Sequence, residues 1–325
     1  FLTGVSKFSK ASIFSGLNML ADISLNPRYG NVCGYTQKDL ERSFAEYLEG
    51  ANLEKIKTWY NGYNFLGDSL YNPFDILLYF ANDRRFENYW FSTGTPTFLI
   101  KLIQKNHYFL PRLSNMIVDQ KLLNSFDIER LDLEVILYQS GYLTIKKAIE
   151  NPRGGYKYEL RIPNQEVRQS LSDFIIDMLI NNDKTLNSQL QDGLYETLVE
   201  ADLDGFSKYL TTLFAKIPYT SFNQGKLQTY EGFYASVIYT YLISLGFEIT
   251  GEDVTNKGRI DLTIHLPEIT YILEFKVDEK GALEQIKAKD YHQKYLKENK
   301  AIYLLGIEFS SKERNITSLE WETIQ

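Results

Sequence analysis

Two strand-like segments joined by a two-residue turn constrain the fold of this 325-residue chain more than any other feature. The segments are Arg259–Leu266 and Ile269–Val277, both rich in β-branched and aromatic residues. Pro267 and Glu268 between them are typical of a tight turn. Because side chains alternate between the two faces of a strand, Asp261 lies on the opposite face from its apolar neighbours. The pattern predicts an antiparallel hairpin with one polar face.

Counting back from this turn places Asp261 opposite Glu274. A two-residue turn pairs Leu266 with Ile269, and each further step along the hairpin adds one opposed pair. Opposed side chains begin roughly 5 Å apart. Lys276 follows on the same face as Glu274. The sequence therefore predicts two carboxylates and one amine at a single place on the sheet.

This predicted group of charges is typical of a metal-dependent phosphodiesterase. Two adjacent carboxylates repel each other when both are ionised, and a hard divalent cation between them removes the repulsion. Lys276 could then orient a metal-bound water or stabilise the developing negative charge. The alternative is a solvated strand face with a surface ion pair, which a Glu-x-Lys pattern alone usually indicates.

Neighbouring segments complete a mixed α/β domain at residues 226–325. We expect helices at Tyr230–Leu245 and Ala282–Lys297, and strands at Phe247–Thr250 and Ala301–Phe309. With the hairpin, the predicted order is helix, three strands, helix, strand.

The preceding 225 residues divide into three further regions by their patterns. Residues 1–96 carry short periodic segments, with predicted helices at Gln37–Leu48 and Pro73–Phe80 and a strand entering a loop at Phe1–Ser6. Residues 97–180 contain a predicted helix at Leu133–Gly141. Residues 181–225 read as a helical connector. A chain that begins inside a strand suggests a fragment of a longer protein.

A glycine-rich hairpin follows the helix at Leu133–Gly141 and suggests a winged helix. Its strands are expected at Tyr142–Lys146 and Tyr156–Ile162. The preceding helical region carries Glu129, Asp132 and Glu134, which suits phosphate binding poorly. We therefore favour a structural lid over a DNA-binding module.

Composition and charge narrow the function classes. The net charge is −7, so the chain has no overall basic field for nucleic acid, and any such contact needs a local patch or metal ions. A single cysteine, Cys33, and three histidines argue against a disulfide framework or a zinc site. We expect Cys33 to be buried and His265 to be exposed at the hairpin tip. No apolar run is long enough to span a membrane, and a cytoplasmic location is expected.

The last hundred residues resemble the PD-(D/E)XK nuclease superfamily. The resemblance is carried by Tyr230-Glu231, Gly258-Arg259-Ile260-Asp261, Glu274-Phe275-Lys276 and Gln285. It implies a restriction-endonuclease-like αβββαβ fold and a metal, Mg²⁺ or Mn²⁺, bound by Asp261, Glu274 and the Phe275 carbonyl. It also implies a water-activating Lys276, a supporting Glu231 and a bracing or substrate-contacting Gln285. Tyr291 is a further candidate, at a spacing from Gln285 that is longer than in the RecB-like branch.

Earlier motifs resemble the later half of bacterial AAA-ATPase-like proteins, many of which carry a C-terminal PD-(D/E)XK domain. These motifs are Phe1-Leu2-Thr3-Gly4-Val5-Ser6, Trp59-Tyr60-Asn61-Gly62-Tyr63, Tyr71-Asn72-Pro73-Phe74 and Tyr89-Trp90-Phe91-Ser92-Thr93-Gly94-Thr95-Pro96. The phosphate-binding Gly-x-x-x-x-Gly-Lys-Ser/Thr motif is missing, so no bound nucleotide is expected for this chain alone.

The sequence therefore predicts a metal-dependent nuclease that hydrolyses phosphodiester bonds, with DNA as the expected substrate, behind an ATPase remnant and its lid. The alternative is a nuclease fold kept as a non-catalytic interaction or DNA-binding module that the ATPase part regulates. The chain could also form a homo-oligomer.

Overall fold

The structure, a computed structural model, describes residues 21–90, 109–114, 116–123, 133–179, 184–218 and 230–324. The chain divides into two compact units, one from residues 1–99 and 116–170 and the other from residues 100–115 and 171–325. The predicted strand Phe1–Ser6, the acidic residues Glu129 and Asp132, and the end of the Tyr89–Pro96 motif lie outside the described residues. Within the described ranges, every helix is too short or too polar to cross a bilayer.

The first unit begins with short helices packed around tyrosine and phenylalanine rings. Its early elements are α1 (Gln37–Ser43), α2 (Ala45–Leu48), α3 (Leu53–Tyr60), β1 (Asn61–Tyr63), β2 (Leu70–Tyr71) and α4 (Pro73–Ala81). The helix predicted after Asn72 is confirmed, and the Asn72 side chain caps it by accepting from the Phe74 N–H. The single helix predicted over Gln37–Leu48 is wrong, because Phe44 leaves helical geometry to pack its ring against Phe80.

The rest of the first unit contains a small antiparallel sheet. Its elements are β3 (Met116–Asp119), α5 (Gln120–Leu123), α6 (Leu133–Gln139), β4 (Thr144–Glu150) and β5 (Tyr156–Arg161). The expected hairpin is confirmed, although its first strand runs to Glu150 rather than Lys146. The sheet also has a third strand, β3, which pairs with β5 and which we did not predict. The expected stop of α6 is confirmed, since Gly141 adopts a φ of +85°.

Helix α7 (Gln165–Leu179) precedes the region predicted to be a helical connector. Two described helices lie within that region, α8 (Lys184–Val199) and α9 (Leu203–Lys216). The helical character of this region is confirmed over the described residues, and its role as a connector stays a prediction.

The second unit is built on a five-stranded mixed sheet. Its strands are β6 (Glu248–Val254), β7 (Arg259–His265), β8 (Ile269–Val277), β9 (Ala301–Ser310) and β10 (Asn315–Ile324), in the spatial order β10-β9-β8-β7-β6. Only β8 and β9 run parallel to each other, and the other neighbouring pairs are antiparallel. Helix α10 (Glu231–Ser244) precedes β6, and helix α11 (Ala282–Ala288) follows β8.

These two helices contribute to packing on opposite faces of the sheet. The α10 ring of Tyr234 stacks on Phe309 with centroids 4.3 Å apart. The α11 side chain of Ile286 packs with Ile272 and Leu304 in a separate buried cluster. Phe309 pairs with Val277, and Leu304 pairs with Ile272. Phe309 and Leu304 lie an odd number of positions apart along β9, so their side chains point to opposite faces of the sheet.

The predicted helix over Ala282–Lys297 is wrong in its length. The helix ends at Ala288, Asp290 adopts a left-handed φ of +48°, and two short 3-10 turns follow at Tyr291–Lys294 and Leu296–Glu298. Asp290 pairs with Lys257 in this geometry. Tertiary polar contacts therefore override helix propensity here.

The predicted strand order is incomplete at its end. Strand β10 follows β9 and forms an edge of the sheet, and it was absent from the predicted order. Strand β6 also extends to Val254 rather than stopping at Thr250.

Candidate active site

The hairpin of β7 and β8 has the predicted register. Leu262 pairs with Leu273 and Thr263 pairs with Ile272. The Leu266 N–H donates to the Ile269 carbonyl at 2.8 Å, which confirms the two-residue turn. The paired ladder ends there, and one further step along both strands leads to Asp261 and Glu274. The Phe275 N–H, next to Glu274, donates to Asp261, so the two acidic residues are neighbours across the hairpin.

Asp261 is fixed by the backbone of the neighbouring strand. Its Oδ2 accepts the Phe275 N–H at 2.9 Å, and the side chain is partly buried. A carboxylate that accepts a backbone N–H is held in one orientation by a charge-assisted bond. Asp261 Oδ1 takes no part in this hydrogen bond.

Glu274 is almost fully buried, with 3% of its surface exposed. The Gln285 amide of α11 donates to its Oε1. Glu274 pairs with Gly306 of β9, and a side chain at Gly306 would place its Cβ 2.3 Å from the Leu283 backbone nitrogen. The missing side chain at Gly306 therefore lets α11 approach closely enough for Gln285 to reach Glu274.

Burial raises the pKa of three carboxyl groups in this region. The pKa of Glu274 is raised by burial and then by the charge of Asp261. Burial also raises the pKa of Asp261, against the lowering effect of the Phe275 N–H. Glu231, the first residue of α10, has a pKa raised to about 7 by burial and then by Asp261. The Lys276 ammonium opposes all three of these shifts.

The predicted site residues are thus brought into one electrostatic group. Tyr291 also lies near it, since burial and then the charge of Glu274 raise its pKa. Its hydroxyl donates to the Arg259 carbonyl at 3.1 Å. The helix break at Asp290 accounts for the longer spacing between Gln285 and Tyr291, because the chain turns back toward β7 instead of continuing as a helix.

The oxygen donors present fit a hard divalent cation. Among the described residues, Glu274 Oε2 is buried without a hydrogen-bond partner, a costly state for a carboxylate oxygen. No cluster of three or more Asp, Glu, His and Cys side chains suited to a metal ion occurs in the described part of the chain. Asp261, Glu274 and a backbone carbonyl such as that of Phe275 would therefore need water to complete the coordination, as Mg²⁺ usually does.

Sequence reasoning missed a charged cluster beside the two carboxylates. Glu252 of β6 accepts the Arg112 Nε–H at Oε2 and forms an ion pair with Arg259 through Oε1 and Nη1, each at 3.0 Å. Its signal in the sequence was weak, because Arg112 lies 140 positions from Glu252. In the sequence, Arg259 stands out only as part of the motif Gly258-Arg259-Ile260-Asp261.

Two predictions about single residues are wrong. Cys33 is exposed rather than buried. His265 is partly buried instead of lying free at the hairpin tip, because its Nε2 and Thr250 Oγ1 lie 3.2 Å apart on adjacent strands.

The comparisons with known proteins agree with this geometry at the level of the domain. Residues 229–319 match the family described as the PD-(D/E)XK nuclease superfamily. An uncharacterized protein in the vnfD 5′ region of Azotobacter chroococcum mcd 1 is 40% identical over 327 residues, covering 99% of this chain and 63% of that protein. The chain thus spans less than two thirds of the length of this relative. No solved structure matches the chain.

The family match begins at residue 229, so the predicted relation of residues 1–96 to AAA-ATPase-like proteins gains no support from it. The five-stranded mixed sheet with its flanking helices is consistent with the matched family. Residues 229–319 are similar to a PD-(D/E)XK nuclease superfamily domain.

Proposed function

We propose that this chain is a Mg²⁺-dependent nuclease that hydrolyses phosphodiester bonds in DNA. The observation that carries the proposal is the buried Glu274, braced by Gln285 and placed beside Asp261 by the register of the hairpin. Lys276 on the same strand face adds the cation that such a centre needs near its water. The family of residues 229–319 supports the same reaction class.

Each residue has a distinct role in this proposal. Asp261 and Glu274 hold the metal, together with the Phe275 carbonyl. The Phe275 N–H keeps the Asp261 carboxylate in place, and Gln285 does the same for Glu274. Lys276 orients the attacking water and opposes the charge that develops on the phosphate.

Glu231 supports the water from the first turn of α10. Its raised pKa, about 7, is suited to accepting or donating a proton near neutral pH. A bound Mg²⁺ would lower the pKa of its water and neutralise part of the phosphate charge. The residues of this chain would then orient the attacking water and the phosphate.

The test is cleavage of plasmid and single-stranded DNA with Mg²⁺ or Mn²⁺. Asp261→Ala and Lys276→Ala are expected to reduce the rate about 100-fold or more. Lys280→Ala, at an exposed lysine four positions away, is the matched control and should keep the rate of the unmodified protein. Cleavage that persists in both site variants would come from a contaminant and would contradict the proposal.

The rival function is a nuclease fold that binds nucleic acid without cutting it. Residues 226–325 hold 12 Lys and Arg against 16 Asp and Glu, a balance that disfavours binding without a metal. The same assay separates the two functions. A folded protein that binds Mn²⁺ but cleaves no DNA or RNA substrate would favour the rival.

A further inference from the structure

Strand β9 contacts the start of helix α11 through a carboxylate that has no role in the proposed cleavage. Glu308 Oε1 accepts the Gly281 N–H at 2.7 Å, although the two residues lie 27 positions apart in the chain. Gly281 is the residue that directly precedes the first turn of α11. The hydrogen bond therefore ties one end of this helix to the sheet.

This bond takes the place of a local cap of the helix. The first N–H groups of a helix have no partner within the helix itself. A glutamate at the third helical position often accepts the N–H of the residue that precedes the helix. Glu284 occupies that third position in α11, yet the Gly281 N–H donates to Glu308. The position of the helix end thus depends on a strand residue that is distant in sequence.

Two further hydrogen bonds hold the connection between β8 and α11 against the end of β9. The Asp278 N–H donates to the Phe309 carbonyl at 2.9 Å, and Asp278 Oδ1 accepts the Ser311 N–H at 2.9 Å. Asp278 and Gly281 both adopt left-handed conformations, with φ of +58° and +90°. The connection is therefore fixed at its first residue by backbone groups and at its last by the Glu308 side chain.

The fixed end of α11 lies one helical turn from the residue that braces the proposed centre. The Gly281 carbonyl accepts the Gln285 N–H at 3.0 Å. The Gln285 side-chain amide in turn donates to Glu274. Gly306, which pairs with Glu274, and Glu308 are alternate residues of β9, so they share the face that α11 covers. A continuous series of hydrogen bonds thus runs from Glu308 through the first turn of α11 to Glu274.

We propose that Glu308 is a positioning residue of the cleavage centre, which holds the Gln285 amide against Glu274 by anchoring the first turn of α11. The helix has seven residues, and isolated helices shorter than roughly 12 residues are marginal in water. It therefore needs anchors from the sheet. Gly306 allows the close approach of the helix, and Glu308 fixes where its first turn begins. The expected effect on metal binding rests on the proposed function, whereas the effect on Gln285 does not.

The first measurement uses the full chain without metal. NMR of protein that carries isotope-labelled glycine and glutamine observes the Gly281 backbone amide and the Gln285 side-chain amide. Glu308→Ala is expected to speed hydrogen exchange at Gly281 and to move the Gln285 resonances toward those of an exposed amide. Glu308→Gln keeps an acceptor oxygen at the same reach and should resemble the wild type. Glu308→Asp keeps the charge but is one methylene shorter, so it should resemble Glu308→Ala.

The second measurement is calorimetric titration of the same proteins with Mn²⁺. Glu308→Ala is expected to weaken binding about fivefold, less than the loss of Gln285 itself, and Glu308→Gln should bind as the wild type does. In a Gln285→Ala background, Glu308→Ala should have little further effect, because the two residues act in series. Glu284→Ala removes an exposed carboxylate from the same helical turn and is the matched control, with wild-type affinity expected. Circular dichroism of each variant checks the fold.

Three results would overturn the proposal. They are unchanged Gln285 resonances in Glu308→Ala, an equal loss of Mn²⁺ affinity in Glu308→Gln, and fully additive losses in the double variant. An equal loss in Glu308→Gln would mean that the charge of Glu308 matters and its hydrogen bond does not. If Glu308→Ala fails to fold, Glu308→Asp and Glu308→Gln decide the same question. Failure of the nuclease proposal looks different: the wild type would bind no Mn²⁺ while the Gln285 resonances still followed the side chain at position 308.

Discussion

At the scale of single residues, the site depends on a carboxylate that is costly to bury. Glu274 is 3% exposed, and one of its oxygens has no partner among the described residues. Its other oxygen accepts the Gln285 amide, which orients the carboxylate. Groups that orient a metal ligand in this way typically change metal affinity 10- to 100-fold when they are removed.

Gln285→Ala is therefore expected to weaken Mn²⁺ binding about tenfold. Without the amide, the Glu274 carboxylate is free to rotate, and burying its ionised form costs more free energy. Calorimetric titration of the full chain with Mn²⁺ measures the change. Gln293→Ala, at an exposed glutamine in the following 3-10 turn, is the control. Equal affinity in the two variants would show that Gln285 does not orient a metal ligand.

At the scale of elements, one glycine sets the distance between α11 and the sheet. Gly306 of β9 faces α11, and an added Cβ would meet the Leu283 backbone nitrogen at 2.3 Å. Backbone cannot give way cheaply, so the helix must move outward. The position of Gln285 depends on this packing.

Gly306→Ala is expected to lower the free energy of unfolding by about 1–3 kcal/mol, the usual cost of overpacking. It should also weaken Mn²⁺ binding, since Gln285 would be withdrawn from Glu274. Urea unfolding and metal titration measure the two effects. A variant with unchanged stability and unchanged metal affinity would contradict this account of the helix position.

The hairpin was predictable because local chemistry alone determines it. A proline-containing two-residue turn and alternating apolar positions fixed the register of β7 and β8 and so the neighbourhood of Asp261 and Glu274. The end of α11 was not predictable, because Asp290 leaves the helix and pairs with Lys257 from another element. The left-handed conformation of Glu252 likewise has no local signal.

At the scale of the whole molecule, the first unit contains a second buried acidic pair, away from residues 229–319 in sequence. Asp75 and Glu166 are both fully buried. Glu166 Oε1 accepts the Trp90 N–H at 2.9 Å, and the side chains of Asp75 and Glu166 lie within hydrogen-bonding reach of each other. Burial raises the pKa of Asp75 to about 9, with a further contribution from Glu166. One proton shared by the pair is the state that this environment favours.

This pair should make the stability of the protein depend on pH. The folded pKa of Asp75 is raised above its ordinary value of 3.8, so the folded state binds a proton that the unfolded state has released. Its stabilising contribution is complete below about pH 4 and is lost as the pH rises toward about 9. Asp75→Asn, a neutral substitute, should therefore flatten the decline.

The free energy of unfolding of the wild type, measured by urea unfolding, should fall between pH 5 and pH 8 more steeply than that of Asp75→Asn, by about 1 kcal/mol per pH unit. Glu46→Gln, at an exposed carboxylate in the same unit, is the control and should keep the slope of the wild type. Parallel pH profiles for Asp75→Asn and the wild type would show that this pair holds no proton at neutral pH.

Calorimetric titration with Mn²⁺ tests whether Asp261 and Glu274 share one cation. We predict one site per chain in the wild type, with binding lost in Asp261→Asn and lost equally in Glu274→Gln, while circular dichroism shows both variants folded. Mn²⁺ binding that survives either substitution would contradict a cation shared by Asp261 and Glu274. A folded wild-type protein that binds no Mn²⁺ would contradict it as well.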